Sequence, residues 1–228
     1  MRSGPLPERS KDGSVHVTDE RVNTLSHLVG SCFALLGGAV LVTQAATTGD
    51  PWRIVGAGVY SATLLLLFVA STLHHGLDLG ERGDTVLRTL DYTAVFALIA
   101  GTVTPLVLVD VRTPLGWAVL GTVWAIAVGG IVLRAVNPRL PKEVTNTLYI
   151  VLGWMPVALV AGDVTLPAGM LALLAAGGVV YSLGFVVFIL ERPNPWPGVV
   201  GFHEIWHVLV VLAAALHWAM VAAYVVPA

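Results

Sequence analysis

Two histidines near the C-terminus have the spacing of metal ligands. His203 and His207 lie four residues apart with Glu204 between them, so that residues 203–207 spell H-E-x-x-H. Side chains at positions i and i+4 of a helix share one face, and this motif is known for holding zinc through both imidazoles, with the glutamate near the metal-bound water. The motif is short, and it needs a third ligand from elsewhere in the chain.

The composition indicates a membrane protein. Of the 228 residues, 56% are apolar and only 11% are charged. Long runs carry no charge at all, which excludes a soluble domain. The formal net charge of -2 is too small to imply a nucleic-acid partner. The single cysteine, Cys32, excludes an intramolecular disulfide.

Seven apolar stretches are long enough to cross a membrane, for which about 20 residues are needed. They predict an all-α, polytopic membrane protein with seven transmembrane helices in one domain over residues 26–228, after a polar cytoplasmic segment over residues 1–25. That segment is too polar for the n-region of a signal peptide, so we expect the first span to be retained. The spans are expected near residues 26–47, 52–75, 87–109, 115–134, 145–162, 166–190 and 203–226.

The distribution of basic residues predicts the orientation. Ten of the twelve Lys and Arg residues lie in the N-terminal segment or in the loops after spans two, four and six, whereas only Arg53 and Arg112 lie on the opposite side. Because cytoplasmic loops are enriched in basic residues, we expect the N-terminus in the cytoplasm. Seven spans then place the C-terminus outside, in a multi-pass protein of the plasma or inner cell membrane.

This topology brings polar residues of several spans to one depth. His74 and His75 end span two, Asp91 begins span three, and the H-E-x-x-H motif begins span seven. Ser71 lies one turn before His75 on the same face, about 6 Å deeper at 1.5 Å per residue. Ionisable groups this close to hydrocarbon are costly, so each needs a metal, a carboxylate or a water-filled cavity as its partner.

The third metal ligand is expected from an earlier span. After His207 the only candidate is His217, ten residues further along the same helix and about 15 Å away, which is too far. His75 lies at the matching depth and is the best candidate. His74 is rotated by about 100° from it and would serve only if the helix turned. Three histidines leave a fourth position for water, which is the catalytic type of zinc site.

Several residues near this site have more than one interpretation. Asp91 is either a functional acid or a group that caps span three or pairs with Arg88. Ser71 either serves the site or bonds to the carbonyl one turn back. Glu204 is an alternative general base, as in zinc proteases. The remaining polar residues at the start of span one, Glu20, Asn23 and His27, are expected to cap the helix or support the ligands.

Four segments carry a joint pattern across the chain. They are S-T-L-H-H at 71–75, L-D-Y at 90–92 followed by A-G-T-V-T-P at 100–105, G-F-H-E-I-W-H at 201–207, and E-x-x-N-x-x-S-H at 20–27. Together they resemble the haemolysin III branch of the progestin and adipoQ receptor family, from about residue 18 to the C-terminus. The resemblance implies seven helices, a cytoplasmic N-terminus and an intramembrane zinc.

The resemblance also implies roles for individual residues. His75, His203 and His207 would be the zinc ligands, with Ser71 and Asp91 near the zinc-bound water. The receptors of this family are linked to hydrolysis of ceramide-like lipid amides, whereas the bacterial branch carries a haemolysin name. Membrane lipids are therefore the expected partners, and one of them the expected substrate.

The first functional hypothesis is a zinc-dependent hydrolase that cleaves a lipid amide or ester at the cytoplasmic leaflet, with Asp91 as the proton acceptor. The second is a receptor or regulator of membrane homeostasis whose zinc is structural. A pore-forming haemolysin is disfavoured because the spans are not strongly amphipathic and contain few polar residues that could line a pore. An intramembrane protease is disfavoured because no metal ligand within reach lies downstream of His207.

The basic-residue count generates a topology prediction. A reporter fused after Ala228 should be active only outside the cell, and a reporter inserted in the loop around Pro138 only inside, because ten of the twelve basic residues lie on the latter side. Paired reporters such as alkaline phosphatase and green fluorescent protein measure this directly. The opposite labelling would contradict the assignment and move the predicted site to the outer leaflet.

Overall fold

A computed structural model describes residues 10–11, 14, 16, 18–162 and 164–227. Seven helices are long and apolar enough to cross a membrane, as the sequence predicts, and the part of the chain described contains no β-strand. The first nine residues of the predicted polar segment lie outside these ranges. The helices are α1 Glu20–Thr48, α2 Pro51–Gly76, α3 Gly80–Val109, α4 Pro114–Val136, α5 Lys142–Trp154, α6 Ala168–Leu190 and α7 Phe202–Met220.

Side-chain caps determine where several helices begin. The Asp19 carboxylate accepts hydrogen bonds from the backbone N–H groups of Arg21 and Val22, so α1 begins at Glu20, earlier than the apolar stretch that was expected from about residue 26. Asp50 and Thr113 cap α2 and α4 in the same way. The early start of α1 adds a polar first turn to this helix.

The fifth span changes its helix type at a proline. After Trp154 the chain continues as a 3₁₀ helix over Met155–Ala161, with Pro156 in its first turn. Proline has no N–H to donate and its ring disfavours a continuous α-helix, which explains the change. The two segments together match the span that was predicted over residues 145–162. At the other end of the chain, α7 passes into a π-helical turn over Val221–Val225.

The packing of the helices places α2 and α7 beside α1. Helix α1 packs against both of them, α2 packs against α3, and α6 packs against α7. Helix α5 packs against α3 and α4. The core includes the fully buried side chains of Tyr60, Phe68 and Phe96, whereas α6 is largely exposed on its apolar surface, which suits contact with lipid.

One end of the bundle therefore collects four helix starts and three helix ends. We call it the N-terminal face: α1, α3, α5 and α7 begin there, and α2, α4 and α6 end there. The last turn of α2 and the first turn of α7 both lie next to the first turn of α1. The expected site residues of three spans are thus brought to one depth.

Close packing of α2 on α3 depends on a glycine. A Cβ atom at Gly56 would lie 2.8 Å from the Cα of Pro105, a contact with backbone that cannot rotate away. We expect Gly56→Ala to destabilise the protein by about 1–3 kcal/mol through overpacking. The apparent melting temperature of the purified protein in detergent measures the change.

Gly58 is the matched control because it lies in the same helix and a Cβ there meets no atom within 4 Å. Gly58→Ala should leave the melting temperature unchanged or raise it, since alanine favours the helix by up to about 1 kcal/mol. Equal melting temperatures for the two variants would show that α2 and α3 do not pack as described.

Candidate metal centre

Three buried histidines converge at the N-terminal face. His75 lies in the last turn of α2, and His203 and His207 lie in the first two turns of α7. The Nε2 atom of His203 is 3.4 Å from that of His75 and 3.1 Å from that of His207. One ring nitrogen from each residue lies within 4.8 Å of the other two. We call these residues the histidine triad, and they are the three that the sequence predicted as ligands.

Contacts on the far side of two rings determine which nitrogen faces the centre. The Nδ1 of His75 is 2.6 Å from Oε2 of Glu20, and the Nδ1 of His207 is 3.2 Å from the carbonyl oxygen of Asn23. In each pair the ring N–H donates to an oxygen, which leaves Nε2 without a proton. The Nε2 lone pairs then point toward the other rings, as they do in metal-binding histidines.

This donor set fits a metal ion. Neutral imidazoles whose lone pairs face one another repel, and a cation between them converts that repulsion into attraction. The three side chains are only 2–4% exposed, so water does not substitute readily for such a partner. The cluster can therefore bind a metal ion, with nitrogen ligands from α2 and α7.

Helix α1 supports the triad from one side. Glu20 in its first turn holds His75, and the backbone of Asn23 holds His207. The ring of His27 stacks on the ring of His207, with the centroids 3.7 Å apart and an interplanar angle of 15°. The polar first turn that Asp19 adds to α1 is what brings Glu20 within reach.

Glu204 contacts backbone at two helix starts. Its Oε1 accepts a hydrogen bond from the N–H of Asp19 at 2.6 Å, and its Oε2 accepts one from the N–H of Gly201 at 2.8 Å. The carboxylate thus joins the first turn of α7 to the first turn of α1. These contacts favour a structural role for Glu204 over the alternative role of general base.

The predicted acid and hydroxyl lie around the end of α2. Asp91 is half-buried at the N-terminal end of α3, and its carboxylate forms a second close group with His74 and His75, one ligand atom from each lying within 4.8 Å of the others. Ser71 is buried one turn before His75. His217 lies further along α7, where its Nε2 is 3.2 Å from the carbonyl oxygen of Leu174 in α6, as expected of a structural residue.

Two supporting residues carried no local signal in the sequence. The Nζ of Lys11 donates to the carbonyl oxygens of His74, at 3.0 Å, and of Leu77, which caps the end of α2 beside the triad. The Oδ1 of Asn194 accepts from the N–H of Phe202 at 3.0 Å and caps the start of α7. Lys11 is distant in sequence from the helix that it caps, so no motif could have indicated it.

Comparison with known proteins shows the family of this chain. The family model described as "Haemolysin-III related" matches residues 15–218. The chain belongs to the haemolysin III family. It is 32% identical to Hemolysin-3 of Bacillus cereus over 212 residues, covering 92% of this chain and 94% of that protein.

Two further relatives extend the comparison. This haemolysin III protein is 31% identical to the Hemolysin-3 homolog of Bacillus subtilis (strain 168), over 87% of this chain and 91% of the relative. It is 28% identical to the human Monocyte to macrophage differentiation factor, over 88% and 82% of the two chains. The matched region of the family model includes the whole triad and its α1 support.

The triad generates a prediction about metal content. The purified haemolysin III protein should contain about one metal ion per chain, and His203→Ala or His207→Ala should lose it because two ligands cannot retain the ion. Elemental analysis of the protein after gel filtration measures the content. Full metal in the double variant would contradict the site.

The neighbouring histidines provide an internal control. His75→Ala should lose more metal than His74→Ala, since the Nε2 of His75 lies 3.4 Å from that of His203. The reverse order would move the ligand by one residue.

Proposed function

We propose that this protein is an intramembrane zinc hydrolase that cleaves an amide or ester bond of a lipid at the cytoplasmic leaflet of the cell membrane. The observation that carries the proposal is the triad of buried imidazoles, with Asp91 grouped beside His75 at the same end of the bundle. A metal site with an acid beside it suits hydrolysis. Because both lie within membrane-spanning helices, a lipid is a better substrate than a soluble molecule.

Zinc is the proposed metal because of the ligands. His75, His203 and His207 are neutral nitrogen donors and no cysteine is near them, which matches catalytic rather than closed structural zinc sites. When bound, zinc would lower the pKa of a water at its open position toward 7 and polarise the scissile carbonyl. The chain supplies the remaining groups.

Asp91 is the proposed proton acceptor and donor. Its carboxylate takes the proton from the attacking water and later returns it to the nitrogen or oxygen of the leaving group. The buried hydroxyl of Ser71 orients the water or stabilises the negative charge that develops on the carbonyl oxygen. Glu204, whose two oxygens already accept backbone hydrogen bonds, is left out of the chemistry.

A cleft beside the triad supports lipid entry from the membrane. It has a volume of about 310 Å³ and lies between α5 and α6, where its lining includes Asn146, Ile150, Phe188 and Phe202. The ring centroid of Phe188 is 5.9 Å from that of His203, so one aromatic side chain separates the cleft from the triad. An acyl chain suits the apolar part of this lining.

A receptor or membrane-homeostasis regulator with a structural zinc is the second candidate. The observation in its favour is that the triad joins α2 to α7 while α1 holds two of the three rings, so a metal would tie three helices together. A pore-forming haemolysin, which the names of the bacterial relatives suggest, is disfavoured because large aromatic side chains, among them Tyr60, Phe68 and Phe96, fill the interior.

Asp91→Asn separates the two candidates. The amide keeps the shape of the carboxylate but does not accept a proton, so hydrolysis should fall by about 100-fold or more while metal content stays near wild type. The measurement is release of fatty acid from N-palmitoyl ethanolamine in mixed micelles, with elemental analysis of the same samples. Absence of any turnover by zinc-loaded wild type would favour the structural zinc.

Glu204→Gln is the matched comparison because it changes the other acid of the region. It should retain more turnover than Asp91→Asn, since the amide oxygen still accepts one of the two backbone hydrogen bonds. A metal-loaded Glu204→Gln protein that is inactive, beside a fully active Asp91→Asn, would transfer the role of base to Glu204.

A further inference from the structure

Helix α1 presents a buried stripe to the site. Asn23, His27, Gly30 and Ser31 lie on the face of α1 that packs against α2 and α7, the helices that carry the triad. The carbonyl oxygen of Asn23 and the ring of His27 both contact His207. The stripe therefore borders the triad directly.

Asn23 is fully buried, yet its side chain bonds to nothing in the described residues. Its relative exposure is 0%, and neither Nδ2 nor Oδ1 has a hydrogen-bond partner among them. The contact with His207 uses the backbone of Asn23 and leaves the side-chain amide for another role. A buried amide without a partner is costly at membrane depth and calls for a functional explanation.

His27 is buried in the same way. It is 4% exposed, and its ring contacts the backbone of His207, whereas no side chain in the part of the chain that the structure describes bonds to its ring nitrogens. Its ring is fixed by stacking on His207 and by an edge contact with Phe68 at 5.1 Å between centroids. The ring is thus held in place, and one of its nitrogens is left to bond to a ligand. Ser31, one turn further along the stripe, instead donates to the carbonyl oxygen of His27 at 2.9 Å.

We propose that Asn23 and His27 form a polar subsite that binds the head of the lipid substrate beside the triad, with Asn23 selecting an amide over an ester. The proposal rests on the hydrolase function proposed above. Together the two side chains would supply contacts that the metal and Asp91 do not.

The preference for an amide over an ester follows from the hydrogen-bond donors and acceptors of the Asn23 side chain and of the two lipids. An asparagine side chain offers one acceptor oxygen and an NH₂ donor, and a secondary amide offers the complementary N–H and C=O. An ester has no N–H, so it would leave Oδ1 of Asn23 buried and unbonded, which a polar site rejects. The neutral ring of His27 can donate to the backbone of His207 and accept from a hydroxyl on the leaving group through its other nitrogen.

A matched pair of lipids tests the subsite. N-palmitoyl ethanolamine and the palmitoyl monoester of ethylene glycol differ only by NH in place of O, and both carry a terminal hydroxyl. Their dissociation constants are measured in nanodiscs by displacement of a fluorescent N-acyl ethanolamine. The zinc-loaded full-length protein carries Asp91→Asn throughout, so that neither probe is consumed and binding is separated from turnover.

The parent protein should bind the amide about tenfold more tightly than the ester. The amide N–H makes a hydrogen bond to Oδ1 of Asn23, whereas the ester leaves that oxygen buried without a partner. Asn23→Leu, which keeps the size but removes both polar atoms, should weaken amide binding about tenfold and abolish the preference. His27→Phe keeps the ring stack and should weaken both probes alike. Ser31→Ala on the same stripe should change neither, and zinc content should stay at the parent level in all variants.

Two results would overturn the proposal. One is an unchanged amide preference in zinc-loaded Asn23→Leu, and the other is a parent protein that binds neither probe. If Asn23→Leu loses zinc or does not fold, the His27→Phe variant is the test. Unchanged binding of both probes by His27→Phe would overturn the subsite. If the binding pattern holds but wild type cleaves neither lipid, the hydrolase function fails while the subsite stands.

Discussion

The hydrogen bonds from two imidazole N–H groups to α1 are the constraint on which the site depends. His75 donates to Glu20, and His207 donates to the carbonyl oxygen of Asn23. Because both partners are acceptor oxygens, each bond favours the proton on Nδ1 and directs Nε2 inward, which is the tautomer and ring orientation that a metal ligand needs. The capping of α1 by Asp19 and the bond from Asp19 to Glu204 hold the first turn of α1 where these contacts require it.

Much of this arrangement is predictable from the sequence. Hydrocarbon requires long apolar helices, so the seven spans follow from hydropathy, and the odd number of spans follows with them. The triad was predictable because His75 ends one span and His203 begins another, which places both at one depth. Between the two neighbouring rings, the sequence favours His75 by its depth in the membrane and by the rotation of His74 away from it. The structure favours His75, whose Nε2 faces His203 while its Nδ1 contacts Glu20.

The remaining features depend on contacts between distant parts of the chain. The H-E-x-x-H motif suggests that Glu204 acts as a base, as it does in soluble enzymes, but here its oxygens accept the N–H groups of Asp19 and Gly201. A motif describes one helix face and carries no information about a helix start that packs against it. The role of Lys11 was not predicted for the same reason: it donates to carbonyl groups at the end of α2, which is distant from Lys11 in the sequence. Hydropathy does not predict the change to a 3₁₀ helix at Met155, which occurs beside Pro156.

The central claim is that three imidazoles hold zinc through Nε2 at the N-terminal face. X-ray absorption at the zinc edge of the purified protein tests it most directly, because the multiple scattering of imidazole rings identifies and counts histidine ligands. The account predicts three imidazole nitrogens at about 2.0–2.1 Å, one oxygen and no sulfur, with the imidazole contribution reduced in His75→Ala. A shell of oxygen ligands alone, or an imidazole count that His75→Ala leaves unchanged, would contradict it.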